Sequence, residues 1–298
     1  MKADAASATA LLVAGGVAFH STHPRYGFLV PAEAGEMSRQ FVSAARGPVK
    51  SGSSAWDRFV VALQERMTVP GISLHYVLRK RAIEDLVRSA IAGGFRQLVV
   101  LGAGLDTLAI RLPRDIRAIE IDHPATQKLK RIAGGGGAAL EFLAVDFTAE
   151  SLSDALLRSN TFDPKAPTVF VAEAVLLYLT DAEVRSVLQQ IRARTNRARL
   201  IFSFWAPRAK GAINFQNATW LADLYLRIKR EPGQWAIAPD DIQRFVEACG
   251  YSLREIQLDA DYQHRYLPNP PDLARGEHIA VCETSVIPGR VDGEESPA

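Results

Sequence analysis

The stretch that decides the fold is LVVLGAGLDT, residues 98–107, in which an apolar run leads directly into Gly102-Ala103-Gly104. Glycine lets a backbone approach a ligand closely, so the run predicts a buried strand followed by a ligand-binding turn. The third glycine of the dinucleotide fingerprint is missing, because Asp106 and Thr107 stand in that region. The pattern therefore favours a nucleoside ligand without phosphates over NAD or FAD.

Further apolar runs follow along the chain, and each is nearly continuous, as expected for strands buried on both faces of a parallel sheet. With the first run they lie at 97–101, 118–121, 142–145, 168–172 and 200–205. Helix-like stretches at 124–132 and 181–194 separate them, and Thr180 with Glu183 predicts a capping box for the second. The alternation predicts an open, doubly wound α/β sheet. Runs at 252–258 and 278–284 predict an antiparallel pair at its edge.

Composition places the chain among ordinary globular proteins. It has 298 residues, of which 48% are apolar and 23% charged, and its net charge of +2 argues against a dedicated nucleic-acid binder. No apolar run reaches the roughly 18 residues that cross a bilayer, and the two cysteines indicate neither a disulfide framework nor a metal site. The apolar segment at 9–19 resembles a signal-peptide core only loosely, since Asp4 and Gly15-Gly16 interrupt the pattern. We therefore expect a cytoplasmic protein with no membrane partner.

The predicted organisation is a single domain spanning residues 1–298. A helical N-terminal cap at 1–92 precedes a Rossmann-like core at 93–287, and a cap insertion rich in aromatic residues interrupts that core at about 207–238. The polar tail at 288–298 is expected to be disordered.

Acidic residues mark the ends of the second and third predicted strands. Asp122 lies twenty positions after Gly102, which is about where a carboxylate is placed to bind a ribose hydroxyl in doubly wound folds. Glu120 lies two residues before it. The third strand ends in Asp146-Phe147, a carboxylate and a flat apolar side chain that can clasp an adenine ring. All of these residues are expected at the carboxyl edge of the sheet, where doubly wound folds bind ligands.

The segments LVVLGAGLDTLAIRL, IEIDHP, AVDF and VFVAEAVLLYL resemble the leucine carboxyl methyltransferase family of class I S-adenosylmethionine-dependent methyltransferases. The likeness extends to WAIAPDDIQRFVEACGYSL, covers about residues 70–285, and is closer to bacterial members, including polyketide O-methyltransferases. It implies S-adenosylmethionine as the cofactor and a sheet of order 3-2-1-4-5-7-6 with the last strand antiparallel.

The resemblance also implies roles for single residues. Gly102 matches the cofactor turn, Asp122 the ribose acid, and Asp146 with Phe147 the adenine pair. Glu173 matches a glutamate near the methionine portion, and Arg79 matches an arginine that holds the cofactor carboxylate. The candidate cofactor site is completed by three neighbours of these residues, namely Ala103, Gly104 and Glu120.

Helical periodicity supports Arg79 independently. In the helix predicted for 74–91, Arg79 lies four residues before Ile83 and eight before Val87, on the inward apolar stripe. Lys80 and Arg81 are expected to form solvent-exposed pairs with the acids four residues later, Glu84 and Asp85. One departure concerns the N-terminal helix, where family members carry a basic residue after a Thr-Ala pair. Here GGVAF follows soon after Thr9-Ala10, and the family's later Asp-Pro is replaced by VPAEA, so one contact is lost or moved.

The acceptor is less sharply defined. A carboxylate acceptor is ionised at neutral pH and needs no general base, whereas a phenol benefits from one. Five histidines look isolated in the sequence, at positions 23, 75, 123, 264 and 278, and no catalytic residue is assigned. The apparent lack of a dyad favours a carboxylate on a small molecule, with a phenolic hydroxyl as the alternative.

The candidate substrate-binding residues are the aromatic side chains Tyr178, Trp205 and Trp235, which favour an apolar acceptor. A silent cofactor-binding homologue and an NAD-dependent oxidoreductase are competing interpretations. The protein is expected to be a monomer or a homodimer.

Overall fold

The computed structural model describes residues 7–134, 140–145, 150–209, 212–229 and 232–284. The predictions for Asp146, Phe147 and the tail at 288–298 fall outside these residues. The strands are β1 (Gln97–Leu101), β2 (Arg117–Asp122), β3 (Leu140–Ala144), β4 (Thr168–Ala172), β5 (Ala198–Trp205), β6 (Tyr251–Gln257) and β7 (Glu277–Thr284). The helices are α1 (Ala8–Ser21), α2 (Ala32–Arg46), α3 (Ala55–Met67), α4 (Ile72–Ala92), α5 (Pro124–Ile132), α6 (Leu152–Leu157), α7 (Asp181–Arg194), α8 (Trp220–Lys229), α9 (Ile242–Ala248) and α10 (Asp259–Tyr266).

The seven strands form one sheet in the order β3-β2-β1-β4-β5-β7-β6. The first five strands pair in parallel, while β7 runs antiparallel to both of its neighbours, β5 and β6. The predicted order and the predicted antiparallel strand are confirmed. Because the parallel strands share one direction, their carboxyl ends form one edge of the sheet.

Helices cover both faces of the sheet. All five residues of β1 are buried, which explains its unbroken apolar run. Successive side chains alternate between the faces, so Val99 packs in the core with α6, α7 and α9, whereas Leu98 packs in the core with α4 and α10. The capping box of Thr180 and Glu183 is present at the start of α7 and is confirmed.

The N-terminal segment and the insertion both contribute to this core, since Val17 of α1 packs with α4 and Trp235 packs with α7 and α9. Helix α1 packs against α2 and α4. None of the residues of α3 is buried, and the end of α3 meets the start of α8, where Thr219 bonds to the carbonyl oxygens of Met67 and Thr68. In the part of the chain that the structure describes, no helix combines the length and apolarity that a membrane span requires.

Candidate active site

The turn after β1 uses its own amide groups. Gly102 and Gly104 both have positive φ, at 59° and 53°. The amides of residues 103 and 106 donate to backbone carbonyl oxygens, and those of 107 and 108 donate to the carboxylate of Asp106. A 3-10 turn at Ala109–Arg111, rather than an α-helix, follows. These amides are already engaged, so the turn suits a nucleoside better than a pyrophosphate.

Asp122 lies at the end of β2 and contacts this turn. Its carboxylate accepts hydrogen bonds from the backbone amides of Gly104 and His123. The side chain is 9% exposed, and burial raises its pKa despite these bonds. The geometry therefore holds a carboxylate directly beside the glycine turn, where the ribose is predicted.

Glu120 is held differently from Asp122. Its carboxylate accepts a hydrogen bond from the ammonium group of Lys130 on α5, and both side chains are buried. Burial raises the pKa of Glu120 to about 7, and the charge of Lys130 limits that rise. The ribose role predicted for this strand end thus fits Asp122 better than Glu120, whose carboxylate is engaged inside the protein.

Arg79 is buried, as its position on the inward stripe of α4 predicts. It is 2% exposed and donates to Oε1 of Glu173 from Nε at 3.0 Å and from Nη2 at 2.9 Å. Its Nη1 donates to Oε2 of Glu277, at the start of β7. Arg79 therefore links the carboxyl end of β4 to β7. Its predicted contact with a cofactor carboxylate would be shared with these two glutamates.

The prediction that Lys80 forms a solvent-exposed pair with Glu84 is wrong. Its ammonium group lies 3.1 Å from Glu173 and 3.3 Å from Asp106, while Glu84 binds Arg111 and Arg88. The long side chain of lysine reaches back to the edge of the sheet, which the helix phase alone does not show. The companion prediction is confirmed, because Arg81 pairs with Asp85 at 3.3 Å and both side chains are about 40% exposed.

A cleft opens beside these charges. It lies between α1, α4 and the turn after β1 and is lined by Lys80, Asp106 and Glu173. Ala14 and Val17 of α1 contribute apolar lining. Neighbouring anions and cations suit a methionine group, whose ammonium needs carboxylates and whose carboxylate needs cations. The residues present therefore fit S-adenosylmethionine.

The predicted acceptor aromatics fall into two clusters. Tyr178 and Trp205 belong to an apolar cluster with Phe215, whose ring centre lies 5.4 Å from that of Trp205. Trp235 packs instead with Phe202 and Phe245 in the sheet core, and its indole N–H donates to Asp181 at 3.3 Å. The fold therefore brings Tyr178 and Trp205 together and places the ring of Trp235 elsewhere.

A pair that the sequence did not indicate lies next to this cluster. Nε2 of His75 and Oε2 of Glu277 are 2.9 Å apart, and both side chains are fully buried. Burial alone would raise the pKa of Glu277, but Arg79 and the hydrogen bond from His75 lower it to about 2. The expectation that His75 is isolated is wrong. The position of His75 one turn before Arg79 on α4 indicates that its side chain faces inward. Its partner could not be inferred from the sequence, because Glu277 lies 202 residues away.

The strand order, the glycine turn and the acids at the ends of β2 and β4 define a Rossmann-like fold of the class I methyltransferase type. The family model of leucine carboxyl methyltransferase matches residues 10–192. The chain belongs to the leucine carboxyl methyltransferase family.

Relatives agree with this assignment, and a solved structure has a similar fold. A protein of Mycobacterium leprae named as an S-adenosyl-L-methionine-dependent methyltransferase is 31% identical over 89% of this chain and 86% of its own length. A protein of Streptomyces avermitilis with the same description is 33% identical over 45% of this chain, and the match spans about half of that relative, 48%. A crystal structure described as a methyltransferase from Thermobifida fusca has a TM-score of 0.56 at 16% identity and covers 83% of this chain and 93% of its own. The predicted family membership and the predicted fold are thus confirmed.

Proposed function

We propose that the protein transfers the methyl group of S-adenosylmethionine to an oxygen atom of a small apolar molecule. The observation that carries the proposal is the junction at the end of β4. The carboxylate of Glu173 binds Arg79 and Lys80, and the next residue, Ala174, packs in the apolar cluster of Trp205 and Phe215. A charged side suited to the cofactor therefore meets an apolar side suited to the acceptor.

Backbone strain marks the same junction. Ala174 has a φ of 52°, the one positive value among non-glycine residues in the described part of the chain. Its amide donates to the hydroxyl of Ser203 on β5 at 2.8 Å, which holds this conformation. Such strain costs on the order of 1–3 kcal/mol and is concentrated at functional sites. It therefore supports placing the transfer at the end of β4.

The main task of the protein in this reaction is to align the methyl group of the cofactor with the acceptor oxygen. When bound, the cofactor supplies an electrophilic methyl group on a positively charged sulfur. The acidic and basic residues around Arg79 would fix the methionine portion, and the apolar cluster would exclude water from the acceptor. Tyr178 and Trp205 remain our proposed acceptor contacts, and Trp235 is proposed as an indirect one, since its backbone amide bonds to Leu177.

Two classes of acceptor fit this scheme. A carboxylate is ionised at neutral pH, and the name of the family favours it. A hydroxyl is the second candidate, because the buried pair of His75 and Glu277 offers the base that such an acceptor needs. We keep the expectations of a small-molecule acceptor without nucleic acid, of a monomer or homodimer in the cytoplasm, and of one domain with caps at 1–92 and 207–238.

Calorimetry tests the cofactor part of this proposal. We expect S-adenosylmethionine and S-adenosylhomocysteine to bind and NAD to bind far more weakly, since the amides of the glycine turn are engaged. Tight NAD binding without S-adenosylhomocysteine binding would overturn the proposal. Cofactor binding without methyl transfer to any aromatic acid or phenol would favour a silent homologue.

A further inference from the structure

Two helices, α3 and α8, carry an exposed apolar face. In the described part of the chain, seven of the twelve exposed large apolar side chains lie on these helices, which hold fewer than a tenth of its residues. They recur at intervals of three or four residues, which places them on one stripe of each helix. The apolar face consists of Trp56, Phe59, Leu63 and Met67 on α3 and of Trp220, Leu224 and Ile228 on α8.

The two stripes meet where α3 ends and α8 begins. The hydroxyl of Thr219 donates to the carbonyl oxygen of Met67 at 2.7 Å, and its backbone amide donates to that of Thr68 at 2.8 Å. Met67 is the last stripe residue of α3, and Trp220, the first of α8, directly follows Thr219. The seven side chains therefore form one surface rather than two separate patches.

The apolar face has the area of one side of a dimer interface. Its side chains are between 42% and 70% exposed. Since a large apolar side chain offers roughly 200 Å², the seven together present on the order of 800 Å². The largest apolar patch of a typical monomer is about 300–600 Å². A stable interface of standard size buries about 800 Å² on each partner, which is the area available here.

Helix α3 also lacks a packed side within one copy of the chain. It has 13 residues, and none of them is buried. A helix of this length is marginal in water by itself, because most helical stability in proteins comes from the packing of an apolar face. A partner that covers the stripe of α3 would supply the packing that the helix lacks.

The composition of the apolar face favours a protein partner, and its area favours a second copy of the chain. A helix that binds a membrane surface carries a basic polar face, whereas α3 carries two acidic and two basic residues whose charges cancel. Tryptophan, phenylalanine and methionine, which supply four of the seven side chains, are enriched at interfaces between proteins. Most soluble oligomers pair identical patches around a twofold axis, and this patch has the area that such a pair needs.

We propose that the protein is a homodimer in which the apolar faces of two copies pack against each other. The opposite side of α8 places Ala222 and Leu226 in the apolar cluster of Trp205 and Phe215. The dimer contact therefore supports the helix that packs on the proposed acceptor side. This last link rests on the proposed function, whereas the dimer itself does not.

Sedimentation equilibrium of the full chain tests the dimer. We expect the wild type to be mostly dimeric at about 20 µM. Leu63→Glu and Ile228→Glu would each place an unpaired charge in the interface, so each should weaken association at least about 30-fold. Ile132→Glu is the matched control, because Ile132 is 71% exposed but lies on α5, outside the apolar face, and this variant should associate as the wild type does.

All three substituted side chains are exposed within one copy, so the variants should fold, which circular dichroism checks. A monomeric wild type would overturn the proposal, and binding of that monomer to vesicles of phosphatidylcholine and phosphatidylglycerol would assign the face to a membrane surface instead. Dimers that persist in both Leu63→Glu and Ile228→Glu would also overturn it, because the contact would then lie elsewhere.

Quenching of tryptophan fluorescence by acrylamide gives a second measurement. Trp56 and Trp220 are each 70% exposed in one copy, whereas the other two tryptophans, Trp205 and Trp235, are each 3% exposed. The dimeric wild type should therefore be quenched weakly, and quenching should rise on dilution to the monomer and in Leu63→Glu. Equal quenching of the wild type and Leu63→Glu at the same concentration would overturn the proposal.

Cofactor binding separates this proposal from the proposed function. The candidate cofactor cleft is lined by residues of α1, α2 and α4 and of the turn after β1. The affinity of Leu63→Glu for S-adenosylhomocysteine should therefore differ from that of the wild type by less than about twofold. Failure of the wild type to bind S-adenosylhomocysteine would remove the proposed function and leave the dimer standing.

Discussion

The cofactor side and the acceptor side of the candidate site differ in how their buried polar groups are bonded. On the cofactor side, the carboxylates of Asp122 and Asp106 already accept bonds from the amides of the glycine turn, and Glu173 is bound by two cations. On the acceptor side, His75 and Trp205 each keep a buried nitrogen without a described partner. These three carboxylates are therefore held in place before a ligand arrives, whereas His75 and Trp205 each leave a nitrogen atom without a bond.

The largest expected effect comes from breaking the link between the two sides. Arg79→Ala leaves the carboxylates of Glu173 and Glu277 without their main cation, which should lower the free energy of unfolding by about 3–5 kcal/mol. Arg81→Ala removes an exposed pair on the same helix and should cost less than about 0.5 kcal/mol. Urea unfolding of both variants measures this difference. Equal losses would mean that Arg79 is not the link that its contacts indicate.

The second expected effect is a pH dependence of stability that arises from another buried imidazole, that of His20. His20 bonds to the hydroxyl of Ser73 at 2.9 Å and has no carboxylate partner among the residues that the structure describes. Burial, aided by His23, lowers its pKa from 6.5 to about 3. Because the unfolded chain binds this proton more strongly, the contribution of neutral His20 to the free energy of unfolding is complete above pH 6.5. It is lost progressively as the pH drops below that value. By pH 5 the loss should reach about 2 kcal/mol.

Urea unfolding at pH 7.5 and pH 5 measures that loss. His20→Gln should be less stable than the wild type at pH 7.5 but should lose about 2 kcal/mol less on acidification. His264→Gln, at an exposed position on α10, should keep the acid sensitivity of the wild type. If the two variants lose the same free energy between these pH values, His20 is not the acid-sensitive group.

The smallest expected effect tests the preorganised cofactor side. Asp122→Ala removes the acceptor predicted for the ribose hydroxyls and frees the amide of Gly104, so S-adenosylhomocysteine affinity should fall at least about tenfold, or about 1.4 kcal/mol. Asp115→Ala, at an exposed position in the loop before β2, should bind as the wild type does. Unchanged affinity in folded Asp122→Ala would remove the ribose role from this residue.

Features that depend on residues close in the chain could be predicted from the sequence, whereas contacts between distant residues could not. The strand ends, the capping box of α7 and the inward position of Arg79 depend on residues close in the chain, and each was predictable. The pairing of His75 with Glu277 depends on two elements 202 residues apart, and no local pattern reports it. The contact of Lys80 with Glu173 could not be predicted either. The phase of a helix gives the direction of Cβ and not the reach of a long side chain.

The position of β7 has a consequence for how the protein is made. This strand is synthesised after every other described strand, yet it lies inside the sheet between β5 and β6. Until residues 277–284 have left the ribosome, β6 has no neighbour in the sheet, and Arg79 and His75 lack the carboxylate that they share. A nascent chain can therefore assemble its glycine turn early, but it gains the buried contacts of Glu277 with Arg79 and His75 only when β7 docks, so that these ion pairs and the completed sheet arrive together.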